Sequence, residues 1–370
     1  MKISMVGPVY PYRGGIAQYT TFLAQALKKA EHQLQMISFR RQYPSILYPG
    51  ASDKDPSTHP VKVDAEYLLD PLYPWTWWRA ASAILRTQPN MVVIQWWTTF
   101  WAPGYAVLAR RIRRATSVVF VIHNVFPHEG KPWDRWLARI ALSQGHAFVV
   151  QAPHEQQKLL QLIPGARVCY CNLPTYARFG ESMISREEAR RELGLPMDRT
   201  IFLFFGIIRP YKGLKHLIEA MRLLDKHSHL VIAGEFWESL EAHLQRIAKL
   251  GCQDQVTIFN EYIPNERAHL LFSAADGLVA PYVGGTQSAA VGVSLGYGLP
   301  MIVTERIAAG IEAGTEGVQI VPAHDARALA AAMDNIVSGR TAIASVAADS
   351  GNWEHLVHLL EQLQFSSSAR

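Results

Sequence analysis

The 370 residues are long enough for two domains with full cores, and 49% hydrophobic and 18% charged residues are typical of a globular protein. The formal net charge of +5 suits an anionic ligand or an anionic membrane surface, but it is too small and diffuse to indicate nucleic-acid binding. The three cysteines form neither a disulfide framework nor a zinc-binding pattern, so we expect a reducing, cytoplasmic environment.

The first half of the chain alternates short apolar runs with helical patterns, which predicts a parallel sheet with crossover helices. The predicted strands span residues 3–6, 34–38, 91–95, 118–122, 147–150 and 167–170. A strand at the very start argues against a signal peptide. The uncharged runs at 91–109 and 280–303 contain glycine and proline, so we interpret each as a buried strand joined to a buried helix and not as a membrane span.

Residues 40–60 are rich in proline and polar residues, which predicts a long loop. Asp53 and Asp55 in this loop mimic an Asp-x-Asp metal-binding motif. No predicted strand precedes them, so we favour an ordinary polar loop over a metal site.

An aromatic and basic stretch follows the strand at 91–95, after a tryptophan-rich helix. Its aromatic members are Trp96, Trp97, Phe100 and Trp101, and its arginines are Arg110, Arg111, Arg113 and Arg114. The arginines suit a solvated helix end, because cations are favoured near the C-terminus of a helix. Aromatic and basic residues together also suit contact with an anionic membrane surface. The sequence leaves both interpretations open.

His123 directly follows the apolar strand at 118–122. Open α/β sheets bind ligands at the carboxyl ends of their strands, so this histidine is placed to face a ligand crevice. A histidine in such a position is as often a structural hydrogen-bonding residue. His123 is therefore a candidate site residue whose role its position leaves open.

Residues 174–196 predict a connection between two halves, in which Ser185 and Glu188 form a capping box at the start of a short helix. The alternation of strands and helices then resumes, which predicts a second parallel sheet. Its predicted strands span residues 201–205, 230–233, 256–259, 278–280 and 302–303. A last helix is predicted over residues 354–363.

The loop between the strand 201–205 and the following helix carries two cations, Arg209 and Lys212. Gly206 can end the strand in a tight turn, and Gly213 opens the helical pattern. Cations at the carboxyl edge of a sheet, beside a helix N-terminus, favour binding of a phosphate or diphosphate. A solvated basic loop is the alternative interpretation.

Three further loops are predicted to reach the same edge of the second sheet. Glu235 and the pair Tyr262-Ile263 follow two of its strands. Thr286 is predicted to cap the next helix, which would leave the amide groups of Gln287, Ser288 and Ala289 free for phosphate oxygens.

Four motifs of this chain resemble those of the family 4 glycosyltransferases, which have the two-domain GT-B fold, and they occur in the same order along the sequence. The family's Gly-x-x-Arg-x-x-Lys-Gly is matched by Gly206, Arg209, Lys212 and Gly213. Gly14-Gly15 resembles the family's double-glycine turn, and the run from His123 to His128 resembles its histidine loop. Thr286-Gln287-Ser288, followed by Gly298-Leu299-Pro300, resembles its donor helix.

The resemblance implies an α/β protein of two Rossmann-like domains facing each other across a cleft. Residues 1–176 with the C-terminal helix 352–370 would form the acceptor side, and residues 177–351 would bind a nucleotide diphosphate-sugar. It implies transfer of a hexose to a glycan, lipid-linked or small-molecule acceptor in polysaccharide biosynthesis, with retention of anomeric configuration. No metal and no separate cofactor would take part. The location would be cytoplasmic, with peripheral contact at the inner membrane face, and no nucleic acid would be a partner.

The resemblance also assigns roles to individual residues. The residues implied to be catalytic are Arg209, Lys212 and His123. The residues implied to bind the donor are Gly14, Gly15, Gly206, Gly213, Glu235, Tyr262, Ile263, Thr286, Gln287 and Ser288. His128 and Glu129 are implied to lie on the acceptor side.

The chain departs from the family pattern in one respect. Many members carry two glutamates across the donor helix, and the corresponding positions here are Gly285 and Val293. This resembles a branch of the family that lacks the pair. The alternatives are therefore a noncatalytic nucleotide-sugar-binding protein, a sugar-nucleotide epimerase of the same fold, or a metal-dependent transferase that uses Asp53 and Asp55.

Overall fold

The structure, a computed structural model, describes residues 1–127, 130–174, 184–285, 288–309, 311, 315–340 and 353–364. The chain divides into two compact units. One comprises Met1–Asp55, Pro60–Asn172 and Asn352–Arg370, and the other comprises Pro56–His59 and Leu173–Gly351. Both predicted domain boundaries, at 176/177 and 351/352, fall outside the described residues.

The first unit contains a seven-stranded parallel sheet with the strand order β3-β2-β1-β4-β5-β6-β7. Its strands are β1 Lys2–Val6, β2 Gln33–Phe39, β3 Glu66–Leu69, β4 Met91–Trp96, β5 Ser117–Ile122, β6 Ala147–Val150 and β7 Val168–Tyr170. The residues of β4 and β5 are all buried, as expected for central strands with helices on both faces.

The helices of this unit form two layers. They are α1 Gly15–Lys29, α2 Trp75–Thr87, α3 Ala102–Ile112, α4 Asp134–Leu142, α5 Pro153–Leu162 and α13 Trp353–Gln362. The chain steps from β1 to β2 in one direction and from β4 to β5 in the other. Because such crossovers are right-handed, α1 lies on one face of the sheet, and α2, α3 and α4 lie side by side on the other. The last helix, α13, packs on α1, with the ring of Trp353 against those of Tyr19 and Phe22.

The aromatic residues after β4 are mostly core residues. Trp96 and Trp101 are 0% and 1% exposed, and their indole N–H groups donate to the carbonyls of Val125 and Gln42. Trp97 and Phe100 are half-buried against Tyr43. The predicted membrane-facing patch is therefore wrong at Trp96 and Trp101, whose rings lie in the core, whereas Trp97 and Phe100 are only partly covered.

The second unit contains a six-stranded parallel sheet with the order β10-β9-β8-β11-β12-β13. Its strands are β8 Thr200–Phe205, β9 Ser228–Ala233, β10 Val256–Phe259, β11 Gly277–Ala280, β12 Met301–Thr304 and β13 Val318–Val321. Its helices are α6 Arg186–Leu193, α7 Leu214–Met221, α8 Leu240–Leu250, α9 Asn265–Ala274, α10 Ala289–Tyr297, α11 Glu305–Ala308 and α12 Ala326–Val337. Both units are thus Rossmann-like parallel α/β domains, which confirms the predicted fold class.

The predicted capping box is present at the start of α6. The Ser185 hydroxyl accepts from the backbone of Glu188, and the Glu188 carboxylate accepts from the backbone of Ser185. A second cap comes from the segment Pro56–His59, which groups with this unit. The Ser57 hydroxyl accepts from the backbone amide of Asn265, the first residue of α9.

Candidate functional site

The second unit has a topological switch point between β8 and β11. The strand β8 comes first in the chain, β9 is added on one side of it, and β11 on the other. At such a point the loops from neighbouring strands leave in opposite directions, so a crevice opens at the carboxyl ends of the strands. The loop that carries Arg209 and Lys212 leaves β8 at this crevice, and residues 281–285 leave β11 beside it.

Glycine at position 213 brings the two loops into contact. The backbone amides of Val283 and Gly284 donate to the carbonyl of Tyr211, at 2.8 and 3.2 Å. Gly213 has a φ of +71°, and a Cβ at this position would lie 2.1 Å from the carbonyl oxygen of Pro281. Only a glycine fits both the left-handed conformation and this close approach.

Lys212 is a buried cation in this crevice. The residue is 9% exposed, and its Nζ lies 3.4 Å from the carbonyl oxygen of Phe205 and 5.5 Å from the centre of the Tyr282 ring. Burial lowers the pKa of Lys212; the Tyr211 phenol partly offsets this and Arg209 adds to it. Among the described residues no carboxylate forms an ion pair with Lys212, so a bound anion would relieve the cost of burying its charge.

Arg209 lies at the rim of the same crevice. Its guanidinium carbon is 5.3 Å from the ring centre of Trp237 and 5.9 Å from that of Tyr211, which are distances typical of cation–π contacts. Trp237 follows β9, and its indole N–H donates to the Glu235 carboxylate at 3.1 Å. The structure therefore brings the predicted residues Arg209, Lys212 and Glu235 to one edge, and adds Trp237, which sequence reasoning missed.

The helix on the β11 side begins later than predicted. The first residue of α10 is Ala289 and its N-cap is Ser288, so the prediction that Thr286 caps this helix is wrong. Ser288 is buried, and its hydroxyl hydrogen-bonds the phenol of Tyr282 at 3.0 Å instead of capping the helix. Thr286 and Gln287 lie outside the described residues. The first amide groups of the helix belong to Ala289 and Ala290.

Of the remaining predicted residues of this unit, Gly206 lies beside Lys212, whereas Tyr262 and Ile263 follow a more distant strand. Gly206 has a φ of +95°, and a Cβ there would lie 2.9 Å from the Lys212 ammonium. Tyr262 and Ile263 follow β10, two strands away from β8, with Ile263 buried and Tyr262 partly exposed.

His123 in the first unit is buried and neutral. It leaves the carboxyl end of β5, its Nε2 lies 2.8 Å from Oε1 of Gln95, and its ring packs edge-on against Tyr19. Burial lowers the pKa of His123 to about 3, so the imidazole carries no charge at neutral pH. The amide nitrogen of Gln95 faces the Met5 sulfur, so its oxygen faces the histidine. His123 Nε2 is therefore the donor, which leaves Nδ1 as an acceptor.

The loop after His123 is fixed by a carboxylate that sequence reasoning missed. Glu155 of α5 is 1% exposed, accepts from the backbone amide of Val125, and pairs with Lys158 and His154. Desolvation raises the pKa of Glu155, but the hydrogen bonds from His154, Lys158 and Val125 outweigh it and lower the pKa to about 2. His128 and Glu129, at the end of this loop, lie outside the described residues.

Gly14 and Gly15 join β1 to α1 at the carboxyl edge of the first sheet. Gly14 is the N-cap of α1 with a φ of +100°, a conformation that favours glycine, and Gly15 is the first helical residue. The predicted residues of this unit that are described, Gly14, Gly15 and His123, thus follow β1 and β5 at one edge.

In the described part of the chain, no group of three or more His, Cys, Asp or Glu side chains is arranged to bind a metal ion. Asp53 instead pairs with Lys54 at 3.5 Å. In the same part of the chain, every helix is too short or too polar to cross a bilayer.

Comparisons with known families agree with this fold. Residues 14–172 match the model described as "Glycosyl transferase 4-like domain", and residues 199–338 match the one described as "Glycosyl transferases group 1". The two models together span every strand of both sheets except β1. The chain belongs to the glycosyltransferases of the GT-B fold.

Individual relatives are distant. The chain is 26% identical over 243 residues to a Bacillus subtilis (strain 168) protein named "Putative teichuronic acid biosynthesis glycosyltransferase TuaC", and the match spans 62% of this chain but only 55% of that protein. Two solved structures share the fold. The sucrose-phosphate synthase of Thermosynechococcus elongatus has a TM-score of 0.69 and 18% identity, and the match covers 98% of each chain. Anabaena Alr3699/HepE in complex with UDP and glucose has a TM-score of 0.70 and 14% identity, and the match covers 98% of this chain and 97% of that one.

Proposed function

We propose that this protein is a glycosyltransferase that moves a hexose from a nucleotide diphosphate-sugar to an acceptor. The observation that carries the proposal is the buried Lys212 ammonium, which lies with Arg209 at a topological switch point in a chain of this family. A diphosphate would supply a negative charge beside Lys212, which forms no ion pair with a carboxylate among the described residues. The structure of Anabaena Alr3699/HepE with UDP and glucose supports a donor of this kind.

The two cations act on the leaving group. When the glycosidic bond breaks, negative charge develops on the departing diphosphate, and cations fixed beside it stabilise the transition state more than the ground state. Arg209 offers a planar fork to two oxygens, whereas Lys212 offers a point charge. The amide groups at the start of α10 add donors from the β11 side.

Because the two cations neutralise the diphosphate, we propose that the reaction needs no metal ion. We also propose that the sugar is transferred with retention of its anomeric configuration. A phosphate oxygen of the donor takes the acceptor's proton on the face that the leaving group vacates. The residues at the positions of the family's paired glutamates, Gly285 and Val293, carry no carboxylate, which supports a scheme without them. Gly285 has a φ of +104°, which favours glycine, and Val293 is 2% exposed inside α10. The chain thus fits the branch of the family that lacks the pair.

His123 has a hydrogen-bonding role in this scheme. Because the pKa of His123 lies at about 3, the side chain does not carry a proton between groups at neutral pH. We assign its free Nδ1 as an acceptor for a hydroxyl group of the donor sugar. Gln95 and Tyr19 are positioning residues that hold the ring.

The acceptor side belongs to the first unit. Residues 1–176 with 352–370 form this domain, His128 and Glu129 contact the acceptor, and residues 177–351 form the donor domain. The acceptor is a glycan or a lipid-linked glycan, and the name of the Bacillus relative supports a role in polysaccharide biosynthesis. We place the reaction in the cytoplasm, with peripheral contact at the inner face of the membrane.

A two-stage experiment tests the proposed function. Thermal shift against a panel of nucleotide sugars first identifies the donor, because a ligand of the folded state raises its stability. Release of the free nucleotide diphosphate is then followed with and without candidate glycan and lipid-linked acceptors. Acceptor-dependent release supports a transferase. Sugar-nucleotide interconversion without an acceptor identifies an epimerase, and binding without any turnover identifies a noncatalytic protein; either result overturns the proposal.

A further inference from the structure

The exposed tryptophans of this protein are concentrated in one place. Four of the ten tryptophans are exposed: Trp75 and Trp78 on α2, at 60% and 45%, and Trp133 and Trp136 at the start of α4, at 56% and 65%. Leu72, Tyr73 and Ile140 beside them are exposed as well. A folded chain normally turns such large rings inward, so a cluster of exposed ones marks a surface that contacts a partner.

These side chains share one face of the first unit. The helices α2, α3 and α4 lie side by side on the same face of the sheet, and each begins at its carboxyl edge. Trp75, Trp78, Trp133 and Trp136 therefore lie at the same end of this layer. On α4, Trp133, Trp136 and Ile140 follow the i, i+3, i+7 spacing of a single outward stripe.

The same helical layer is cationic. Residues 71–128 contain neither Asp nor Glu, although the whole chain has 31 acidic residues. Arg79 on α2 and Arg135 and Arg139 on α4 are exposed among the tryptophans. Asp134 is the one acidic residue in the described parts of α2, α3 and α4, and it is buried, with its carboxylate accepting from Thr99 and from the backbone of Lys131.

We propose that this surface, formed by Trp75, Trp78, Arg79, Trp133, Arg135, Trp136 and Arg139 and here called the Trp–Arg face, binds the surface of an anionic lipid bilayer. Indole rings favour the headgroup region of a membrane, because one edge is apolar and the N–H remains hydrated. Arginines beside them are attracted to anionic headgroups. Because the described residues of α2, α3 and α4 expose no acidic side chain, these helices avoid the repulsion that a carboxylate would meet there.

The Trp–Arg face differs from the aromatic stretch that the sequence suggested. Trp96 and Trp101 are core residues, and Arg110, Arg111, Arg113 and Arg114 lie at the C-terminal end of α3. Since α3 has eleven residues, its C-terminal end lies about 16 Å from its start. The four arginines are therefore at the opposite edge of the sheet from the exposed tryptophans.

Sedimentation with sucrose-loaded vesicles tests the proposal on the full chain. Binding should be strong to vesicles that contain phosphatidylglycerol, weak to pure phosphatidylcholine, and reduced by salt, which screens the charges. Arg79→Ala/Arg135→Ala/Arg139→Ala should weaken binding roughly fivefold for each arginine removed, on the order of 100-fold in all. Trp75→Ala/Trp78→Ala/Trp133→Ala/Trp136→Ala should reduce binding at least as much, and brominated lipids should quench the wild-type tryptophan emission but not that of this variant.

Matched controls come from exposed residues of the second unit. Arg222→Ala/Lys226→Ala/Lys249→Ala removes the same charge, and Met197→Ala/Leu223→Ala/Leu244→Ala/Ile320→Ala removes four exposed apolar side chains. Both controls should bind vesicles like the wild type, and circular dichroism should show all variants folded. Equal binding to both lipids, or loss of binding in the controls, would overturn the proposal. A third result would also overturn it: the wild-type protein does not bind vesicles but self-associates, and the tryptophan substitutions abolish this self-association. The Trp–Arg face would then be an interface between two copies of the chain. The assay contains no donor or acceptor, so its outcome is independent of the proposed transferase activity.

Discussion

At the scale of single residues, Lys212 and Lys215 separate the effect of a buried cation from that of net charge. Lys212 is buried in the crevice, whereas Lys215, three residues further along, is exposed. Removing one partner of a desolvated charge pair costs on the order of 2–5 kcal/mol, so Lys212→Ala should lower kcat/KM roughly 30-fold or more. Lys215→Ala makes the same change in net charge and should keep nearly normal kinetics. Equal steady-state kinetics of the two variants would remove Lys212 from the donor site.

Arg209 allows charge to be distinguished from geometry. Arg209→Ala should lower kcat/KM by a factor similar to that of Lys212→Ala, because both cations neutralise the same leaving group. Arg209→Lys should restore only part of the loss, since an ammonium replaces neither the planar fork of the guanidinium nor its cation–π contacts with Trp237 and Tyr211. Steady-state kinetics compare the three proteins, and full recovery in Arg209→Lys would mean that charge alone matters.

The burial of His123 predicts a specific dependence on pH. The folded state keeps His123 neutral down to about pH 3, whereas the unfolded chain takes up the proton near the usual 6.5. The unfolded state therefore binds more protons as the pH falls from 6.5 towards 3, and His123 reduces the free energy of unfolding in that window. His123→Gln should remove this part of the acid sensitivity, as measured by urea unfolding at a series of pH values. An unchanged pH profile would contradict a buried neutral imidazole.

Removal of the imidazole of His123 also has a kinetic consequence. The proposed contact of His123 is with the reacting sugar, so His123→Ala should lower kcat much more than it weakens nucleotide binding. The pH dependence of kcat between pH 5 and 9 should keep its shape, because the wild-type imidazole does not titrate there. A fall in nucleotide affinity with unchanged kcat would make His123 a structural residue only.

At the scale of secondary-structure elements, the contact between the β8 and β11 loops depends on Gly213. Gly213→Ala adds a Cβ 2.1 Å from the Pro281 oxygen, in addition to the strain of a positive φ. Gly194 ends α6 with a φ of +66° and has open space around its missing Cβ, so Gly194→Ala measures the strain alone. We expect Gly194→Ala to cost about 1–2 kcal/mol of stability with normal kinetics. Gly213→Ala should cost more in urea unfolding and should also lower kcat/KM, and equal losses in both variants would contradict the contact.

The elements also differ in how well the sequence predicts them. The strands β4, β5 and β8 are continuous apolar runs, because helices cover both faces of central parallel strands. The edge strands β3 and β13 are four residues long and only partly buried, so they carry no such run and were missed. Sequence reasoning therefore found the central strands and one edge strand of each sheet, β7 and β10, but missed the opposite edge strands β3 and β13.

At the scale of the whole molecule, the proposed chemistry depends on cations of the chain and not on a bound metal ion. Turnover should therefore survive excess EDTA, because Arg209 and Lys212 occupy the role of a divalent cation at the diphosphate. Assays of nucleotide release in the presence and absence of chelator measure this. Loss of activity that manganese restores would contradict the proposal and return attention to Asp53 and Asp55.

The sequence by itself determined the fold class and predicted the core of the proposed donor site. Apolar periodicity is a local property, and the residues from Gly206 to Gly213 form one continuous stretch, so both are visible without any tertiary contact. The capping box of Ser185 and Glu188 was predictable for the same reason, since its partners are three residues apart.

Only the tertiary structure decided which groups surround these residues and which aromatic rings face water. Gln95, Glu155 and Trp237 lie 26 or more residues from the side chains or loops that they position, and no local pattern distinguishes them. Trp75 and Trp96 likewise belong to similar aromatic runs, yet one is 60% exposed and the other fully buried. Burial depends on the neighbouring elements that cover a side chain, and those neighbours come together only when distant parts of the chain pack.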